Sequence, residues 1–457
     1  DGLNLTAKLT VKSVDGTFTD ERPVLIQLGN AGPQDVRYDQ LPVGLYDAQL
    51  VASTQGVRLV GRTIRFARLA ARISPPQSAG SGFGVILETI EANGLPGQHA
   101  LLENIRPEWV KLPVWYTQRA VTGQNFDVIR NVDGYLQAIV DSGGNPVGIQ
   151  MDEPQMSDAS GGPAALRSMI DLMSEKPLAW KPLIAGTWSR YTGLIHIWQL
   201  GEDGDDGIFL DHRLPDLLPT LHREMATLMS EPTIAAPTST RFQAAGSTFA
   251  DYRAIYVPSS VQPEDIEQHA RPLIGPNPDR AWITLEALDD PQHPREARLA
   301  DYGRRLVSTA FLNAGATFVF APWDLQADLV TAQVSPREEY LLLRTVADVL
   351  GNATPVSQTS IDGQAECLVF DRNGQAVLFV RDPYAPPGGR DHVLYLGEYA
   401  EQIDLWGRRT RLQTVGQQQK VRIGRMPTFI VNTPTWLVEV RRQFVLSPGL
   451  LEASLNA

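Results

Sequence analysis

Phe83-Gly84-Val85-Ile86-Leu87 is the first of a series of short apolar runs that ends at Thr317-Phe318-Val319-Phe320. Between them stand Trp109-Val110-Lys111-Leu112-Pro113-Val114-Trp115, Val147-Gly148-Ile149-Gln150-Met151 and Ile195-His196-Ile197-Trp198-Gln199-Leu200. Thr233-Ile234-Ala235-Ala236, Ala254-Ile255-Tyr256-Val257 and Trp282-Ile283-Thr284-Leu285 complete the set. Helical patterns over 126–141, 163–175, 213–229, 262–271 and 294–313 lie between the runs, and 336–349 follows the last. Apolar strands alternating with helices make a parallel sheet covered by helices. Eight such units in about 265 residues match a (β/α)8 barrel. An open doubly wound sheet would place a Gly-rich phosphate loop after its first strand. Glu88-Thr89-Ile90-Glu91 stands there instead.

Outside 83–350 the rhythm is that of antiparallel strands. Leu5–Val11, Val24–Leu28, Gly44–Val51 and Thr63–Leu69 are separated by the turn signals Asp15-Gly16 and Gly29-Asn30. They predict an N-terminal β-sandwich over 1–75, with 74–82 as a linker. After 352, Glu366–Asp371 and Ala376–Val380 flank Asn373-Gly374, a hairpin signal. His392–Leu396, Gln402–Gly407, Lys420–Ile423 and Pro427–Val431 continue a second antiparallel sandwich over 353–446. The expected fold class is therefore α/β: a central (β/α)8 barrel with a small β domain on each side. The segment 447–457 reads as a tail or the start of a further element. The start at Asp1 suggests a processed or excised piece of a longer chain.

The 457 residues carry a net charge of −12, and the pI is about 5.1. An acidic chain with no Lys/Arg run repels phosphate backbones, so no nucleic-acid partner is expected. No stretch reaches the length of about 18 apolar residues that a membrane span requires, so no membrane insertion is expected. The single cysteine, Cys367, lies in an apolar strand and excludes an internal disulfide or a thiolate cluster. The seven histidines show no ligand spacing. There is no nucleophile elbow, Walker loop or dinucleotide loop. We expect no cofactor and no metal. Nothing in the pattern specifies an oligomeric state.

The C-terminal stretch Asp404-Leu405-Trp406-Gly407-Arg408, with the strand ending at Ile423 and Pro427-Thr428-Phe429-Ile430 after it, resembles the sandwich that follows the barrel in clan A-type retaining glycoside hydrolases of the xylosidase and iduronidase kind. In those enzymes that module packs on the barrel. Trp198-Gln199-Leu200-Gly201-Glu202-Asp203 looks like the same clan's fourth-strand motif, where Trp-Gln-x-Gly leads into Asn-Glu and the Glu is the acid/base. Here Glu202 stands in the Asn slot and Asp203 in the Glu slot. The resemblance implies that the second carboxylate comes from strand seven.

Cleaving a glycosidic bond commonly takes two carboxyl groups across the sugar, about 5.5 Å apart for retention and wider for inversion. In a barrel both sit at the C-terminal ends of strands. Glu202 as acid/base, Glu286 as nucleophile and Asp203 as alternative acid are the expected catalytic residues. Glu88, Asp152, Glu153 and Asp324 are further strand-end carboxylates. Trp115, Tyr116, Trp188, Trp198 and Trp323 could stack on sugar faces, and Arg190 could bind an acidic sugar. Each also has a plain structural reading: strand-end acids cap helices, and aromatics fill cores. The run Glu202–Gly207 has hard oxygens for Ca²⁺ but lacks EF-hand spacing.

Two functions follow. One is a glycoside hydrolase acting on a polysaccharide or glycoconjugate outside the cell, in the periplasm or at the cell surface. The other is a catalytically inactive barrel of that kind, serving as a carbohydrate-binding or structural domain of a larger cell-surface protein.

Overall fold

The computed structural model describes the chain apart from residues 1–4, 25–35, 39, 55–56, 74–81, 91–93, 118, 120–125, 153–167, 242–249, 290, 328–331 and 444–457. Four antiparallel strands come first: β1 (Leu5–Ser13), β2 (Thr19–Val24), β3 (Gly44–Thr54) and β4 (Val57–Arg68), in the order β2-β1-β3-β4. The second strand precedes the run expected at Val24–Leu28. The rest of that run, the Gly29-Asn30 turn and most of the linker at 74–82 lie outside the described residues.

The eight apolar runs are the eight parallel strands of a closed barrel. They are β5 (Phe83–Ile86), β6 (Trp109–Tyr116), β7 (Asn145–Met151), β8 (Ile197–Leu200), β9 (Thr233–Ser239), β10 (Tyr252–Val257), β11 (Ala281–Leu285) and β12 (Ala316–Phe320). β12 pairs with β5 and closes the ring. The closure is tight, because a Cβ at Gly84 would lie 2.4 Å from the Phe318 ring. Alternation along the strands sends Trp109, Lys111, Gln199, Trp282, Thr284 and Phe318 inward. Trp109 and Trp282 pack at 5.5 Å between ring centres, and Trp282 and Phe318 at 5.3 Å. The interior is thus a filled core rather than a pore.

The helices are α1 (Leu95–Ile105), α2 (Phe126–Asp141), α3 (Met169–Met173), α4 (Pro177–Tyr191), α5 (Asp206–Leu210), α6 (Leu214–Met225), α7 (Ile266–Ile274), α8 (Arg295–Phe311) and α9 (Glu338–Leu350), with α10 (Trp436–Gln443) closing the described chain. Residues 126–141 form a helix at the expected bounds. The helix expected at 163–175 is described only from its later part. The sequence reading missed α1 and α4, and the reasons are physical. α4 carries Pro182 in its interior, a residue that normally ends a helix. Its Trp180, Ile184, Thr187, Trp188 and Tyr191 form one buried face, but the open face carries Leu178, Ala179, Pro182 and Gly186, so no polar stripe marks it.

After the barrel, β13 (Trp323–Ala327) and β14 (Ala332–Pro336) form a hairpin. The C-terminal domain has a six-stranded sheet of β15 (Thr354–Ile361), β16 (Ala365–Arg372), β17 (Gln375–Arg381), β23 (Thr428–Val431), β19 (Glu401–Asp404) and β20 (Arg409–Arg411). A three-stranded sheet of β18 (Arg390–Leu394), β22 (Gln418–Ile423) and β21 (Gln413–Val415) accompanies it. Cys367, Val369, Leu378, Val421, Ile423 and Ile430 form the core of this domain. Phe370, Phe379, Leu405 and Phe429 belong instead to the barrel's core cluster.

The 404–408 motif makes that junction. Asp404 Oδ1 accepts the backbone N–H groups of Trp406 (3.0 Å) and Arg408 (2.8 Å). The tight turn drives Leu405 against Gly303 on α8, where a Cβ would stand 2.7 Å from Leu405 Cδ1. Arg408 then donates to the Val43 carbonyl and to Asp15 Oδ2, both at 2.9 Å. One five-residue turn therefore ties the C-terminal sandwich to the barrel and to the N-terminal sheet. Among the described residues no helix is long and apolar enough to cross a membrane.

Candidate active site

The C-terminal ends of the barrel strands form one rim, and the fourth strand delivers two acids to it. Gly201, at φ +76, turns the chain as β8 ends. A Cβ there would meet Ile208 Cδ1 at 2.2 Å, so the turn requires glycine. The following residues split: Glu202 is exposed at the rim, and Asp203 is buried.

Asp203 points down into the barrel. Its Oδ1 receives Lys111 Nζ from strand two and the Thr284 hydroxyl from strand seven, each at 2.6 Å. Its Oδ2 receives Gln199 Nε2 from strand four at 3.0 Å. Neither the lysine nor the aspartate side chain exposes any surface. Lys111 also lies over the Phe318 ring at 4.2 Å and the Trp282 ring at 5.2 Å. Burial pulls the Lys111 ammonium toward its neutral form, while Asp203 holds it charged. The charge on Asp203 is thus answered by three donors beneath the rim rather than offered to the rim.

Glu202 and Glu286 occupy opposite environments. Partial desolvation at the rim pushes the Glu202 carboxyl above the usual range, and repulsion from Asp205, Glu88, Asp203 and Asp152 pushes it further. Burial acts in the same sense on Glu286 but is outweighed there. The Ser259 backbone N–H donates to Oε2 at 2.7 Å, the Ser259 and Tyr256 hydroxyls add their own bonds, and Arg241 adds its charge, so the Glu286 carboxyl falls below the usual range. Burial, followed by the charge and hydrogen bond of Glu286, raises the Tyr256 phenol. The strand-four loop reaches the same place. A Cβ at Gly204 would be 3.3 Å from the Tyr256 ring. Arg241 lies 5.6 Å from the centre of that ring and donates to Asp206 Oδ2 at 3.2 Å.

Other strand-end acids also reach this region. Glu88 opens to solvent at the end of strand one, and partial desolvation of its carboxyl pushes it up against a weaker opposing pull from Arg337. Asp152 accepts the Thr117 hydroxyl and the Met169 backbone N–H, both at 2.7 Å, so it anchors the start of α3. Burial nevertheless raises its pKa, aided by Asp205 and Asp171. Asp205 caps α5 through the N–H groups of Gly207 and Ile208. Asp324 is half-exposed on β13 and pairs with Arg337 at 2.8 Å. Glu153 lies outside the described residues. Among the described residues, no three His, Cys, Asp or Glu side chains converge in a metal-holding group.

Most of the expected aromatic platforms are core residues. Trp115 Nε1 donates to the Leu183 carbonyl of α4 at 3.2 Å, which points the ring at the helix layer. Trp188 is fully buried within α4, edge-on to Trp180 at 6.0 Å. Trp198 is fully buried on the outer face of its strand, since the adjacent Gln199 faces inward. Trp323 is 4% exposed and belongs to the barrel's core cluster. Tyr116 is largely buried, with the Arg119 guanidinium 4.7 Å from its ring centre. Arg190 pairs with Asp133 of α2 on the outer helix layer, away from the rim.

The sequence reading gave no role to Lys111, Thr284, Gln199, Tyr256, Ser259 or Arg241. Only Lys111 carried a signal, as a lone cation inside an apolar strand run.

No family model matches the sequence, and no curated protein matches it either. Solved structures do match the fold. A family 39 glycoside hydrolase from the gut symbiont Bacteroides cellulosilyticus WH2 superposes with a TM-score of 0.65 at 14% identity, covering 94% of this chain and 95% of that one. A glycoside hydrolase family 30 subfamily 8 xylanase, Xyn30A from Clostridium acetobutylicum, superposes with a TM-score of 0.53 at 11% identity, covering 78% of this chain and 96% of that one. The fold is that of (β/α)8 glycoside hydrolases with accompanying β-sandwich domains, as the resemblance in the sequence implied.

Proposed function

We propose that this chain hydrolyses O-glycosidic bonds of a polysaccharide or glycoconjugate, with Glu202 as acid/base and Glu286 as nucleophile. The observation that carries the reading is the opposed environment of these two carboxyls at the ends of strands four and seven. One is pushed toward its protonated form by partial desolvation and by surrounding acids, and the other is held ionised by three hydrogen bonds. A general acid and a nucleophile need that division, and pairs of acids driven apart in this way mark such assignments.

In the first step Glu202 gives its proton to the glycosidic oxygen while Glu286 attacks the anomeric carbon, releasing the leaving sugar as an alcohol. Water then attacks the glycosyl ester. Its proton passes to Glu202, and Glu286 leaves as a carboxylate. The retaining outcome comes from the resemblance, and action on a polysaccharide fits a location outside the cytoplasm. Asp203 takes no part in proton transfer in this scheme, because its oxygens are engaged beneath the rim.

That same burial favours the second reading, a binding barrel without turnover, since the slot in which the resemblance puts the acid holds an inaccessible aspartate. A hydrolysis screen over polysaccharides and aryl glycosides separates the two, with Glu202→Gln, Asp203→Asn and Glu286→Gln alongside. Sugar release by the wild type, lost in Glu202→Gln and Glu286→Gln, supports the enzyme. Glycan binding that is equal in wild type and variants, with no cleavage, replaces it by the binding module.

A further inference from the structure

We propose that Arg305 is a positioning residue for Glu286, acting through the peptide unit that joins Pro258 to Ser259. The proposal rests on the reading of Glu286 as the nucleophile and adds what holds it ready. Arg305 lies on α8 with no exposed surface. Its guanidinium spends its donors on one loop and one acid. Nε binds Asp301 Oδ2 at 2.6 Å. Nη1 binds the Pro258 carbonyl at 3.2 Å, and Nη2 binds the Ser259 and Val261 carbonyls at 2.6 and 2.5 Å.

In a planar trans peptide the C=O and N–H point in opposite directions. The Pro258 carbonyl is held from one side by Arg305 and by the Val261 N–H at 3.1 Å. The Ser259 N–H of the same unit is therefore aimed the other way, at Glu286 Oε2, 2.7 Å distant. A carbonyl that accepts from a cation also polarises its amide, so the N–H becomes a stronger donor. Arg305 thus fixes both the direction and the strength of a bond that keeps Glu286 ionised, without touching the rim itself. The planar fork makes this a task for arginine, since lysine cannot span three carbonyls and an acid in that geometry.

Other charges are arranged around this relay. Tyr256 and Arg241 face Glu286 directly. Around Arg305 stand Asp301, which neutralises it, and Arg304 and Glu264, whose charges reach Asp301.

The test is the titration of Glu286 followed by carbon NMR on chain labelled at the glutamate carboxyl carbon, with the signal assigned by its loss in Glu286→Gln. In Arg305→Lys the Glu286 midpoint should rise by about one pH unit, the scale of one weakened charge-assisted bond. The acid limb of kcat/KM should rise with it. An unchanged midpoint in a folded Arg305→Lys chain overturns the proposal. Should that variant fail to fold, the wild type still decides. The Ser259 amide and the Arg305 Nη–H signals should both shift at the Glu286 midpoint and lose that step in Glu286→Gln, and Arg305 Nη–H signals indifferent to Glu286 overturn the relay. A shifted midpoint in a chain that cleaves nothing retires the nucleophile reading and leaves the positioning role standing.

Discussion

Lys111 Nζ stands 2.6 Å from Asp203 Oδ1 inside the barrel, and neither side chain reaches solvent. The pair joins strand two to the loop after strand four, and Thr284 adds strand seven. Burying two charges is costly unless every lone pair and proton is answered, and removing one partner strands the other, at about 3–5 kcal/mol. Lys111→Met should therefore lower unfolding free energy by about that amount. Lys111→Met with Asp203→Asn should recover much of the loss, because neither charge then remains. Chemical denaturation of the four members of the cycle measures this. Equal destabilisation by the single and double variants would remove the ion pair from the account.

Asp203→Asn and Glu202→Gln should separate in activity. Both replace a carboxyl by an amide in adjacent residues, but only Glu202 opens to the rim. Glu202→Gln should lower kcat by about 10²–10⁴, the usual contribution of a positioned acid. The loss should be smaller on aryl glycosides, whose leaving groups need little protonation. Asp203→Asn should act mainly on stability and on all substrates alike. A loss confined to poor leaving groups in Asp203→Asn would move the acid to that residue.

The barrel was legible in the sequence because its strands are buried on both faces and read as unbroken apolar runs, whatever surrounds them. The helix at 126–141 was legible from its period. α4 was not, because a proline stands inside it and its exposed face carries Leu178, Ala179 and Gly186 in place of a polar stripe. The rule that barrel chemistry sits at strand ends put Glu202 and Glu286 among several candidate carboxylates, and the resemblance, with its pair on strands four and seven, singled them out as the expected pair. The descent of Asp203 followed from neither, because its partner Lys111 lies 92 residues earlier in the chain and no local pattern links them. Trp323 shows the converse error: read as a ring that could stack on a sugar, it begins β13, where it pairs with Pro336 of β14, and its ring joins the core.

The junction turn makes a separate prediction. Leu405 is fully buried and packs on Gly303 of α8. Leu405→Ala should cost about 2–5 kcal/mol through the lost transfer energy and the cavity left behind. Gly303→Val should destabilise by overpacking the same contact. Neither should change KM, because the turn lies at the junction with the C-terminal sandwich rather than at the rim. Thermal unfolding together with steady-state kinetics checks both. A changed KM with unchanged stability would mean that the sandwich takes part in binding.

The two carboxyls set the pH dependence. Glu286, with its pKa lowered, must be ionised, so the acid limb of kcat/KM should lie below the ordinary carboxylate range. Glu202, with its pKa raised, must be protonated, so the alkaline limb should lie above that range. Stability follows with its own sign. A carboxyl whose folded pKa is raised binds more protons in the native state than in the unfolded one, so stability falls as pH rises between the two values. Glu202 therefore costs stability above its folded pKa, where its charge faces Asp205, Glu88 and Asp152. Glu202→Gln should raise Tm near neutral pH by an amount on the order of 1 °C, since solvent at the rim screens the repulsion. The gain should vanish below the unfolded pKa of a glutamate, where wild type is already protonated in both states. A gain that persists into acid would trace to packing of the amide, and a loss at neutral pH would mean that the Glu202 carboxylate is held by a partner rather than repelled.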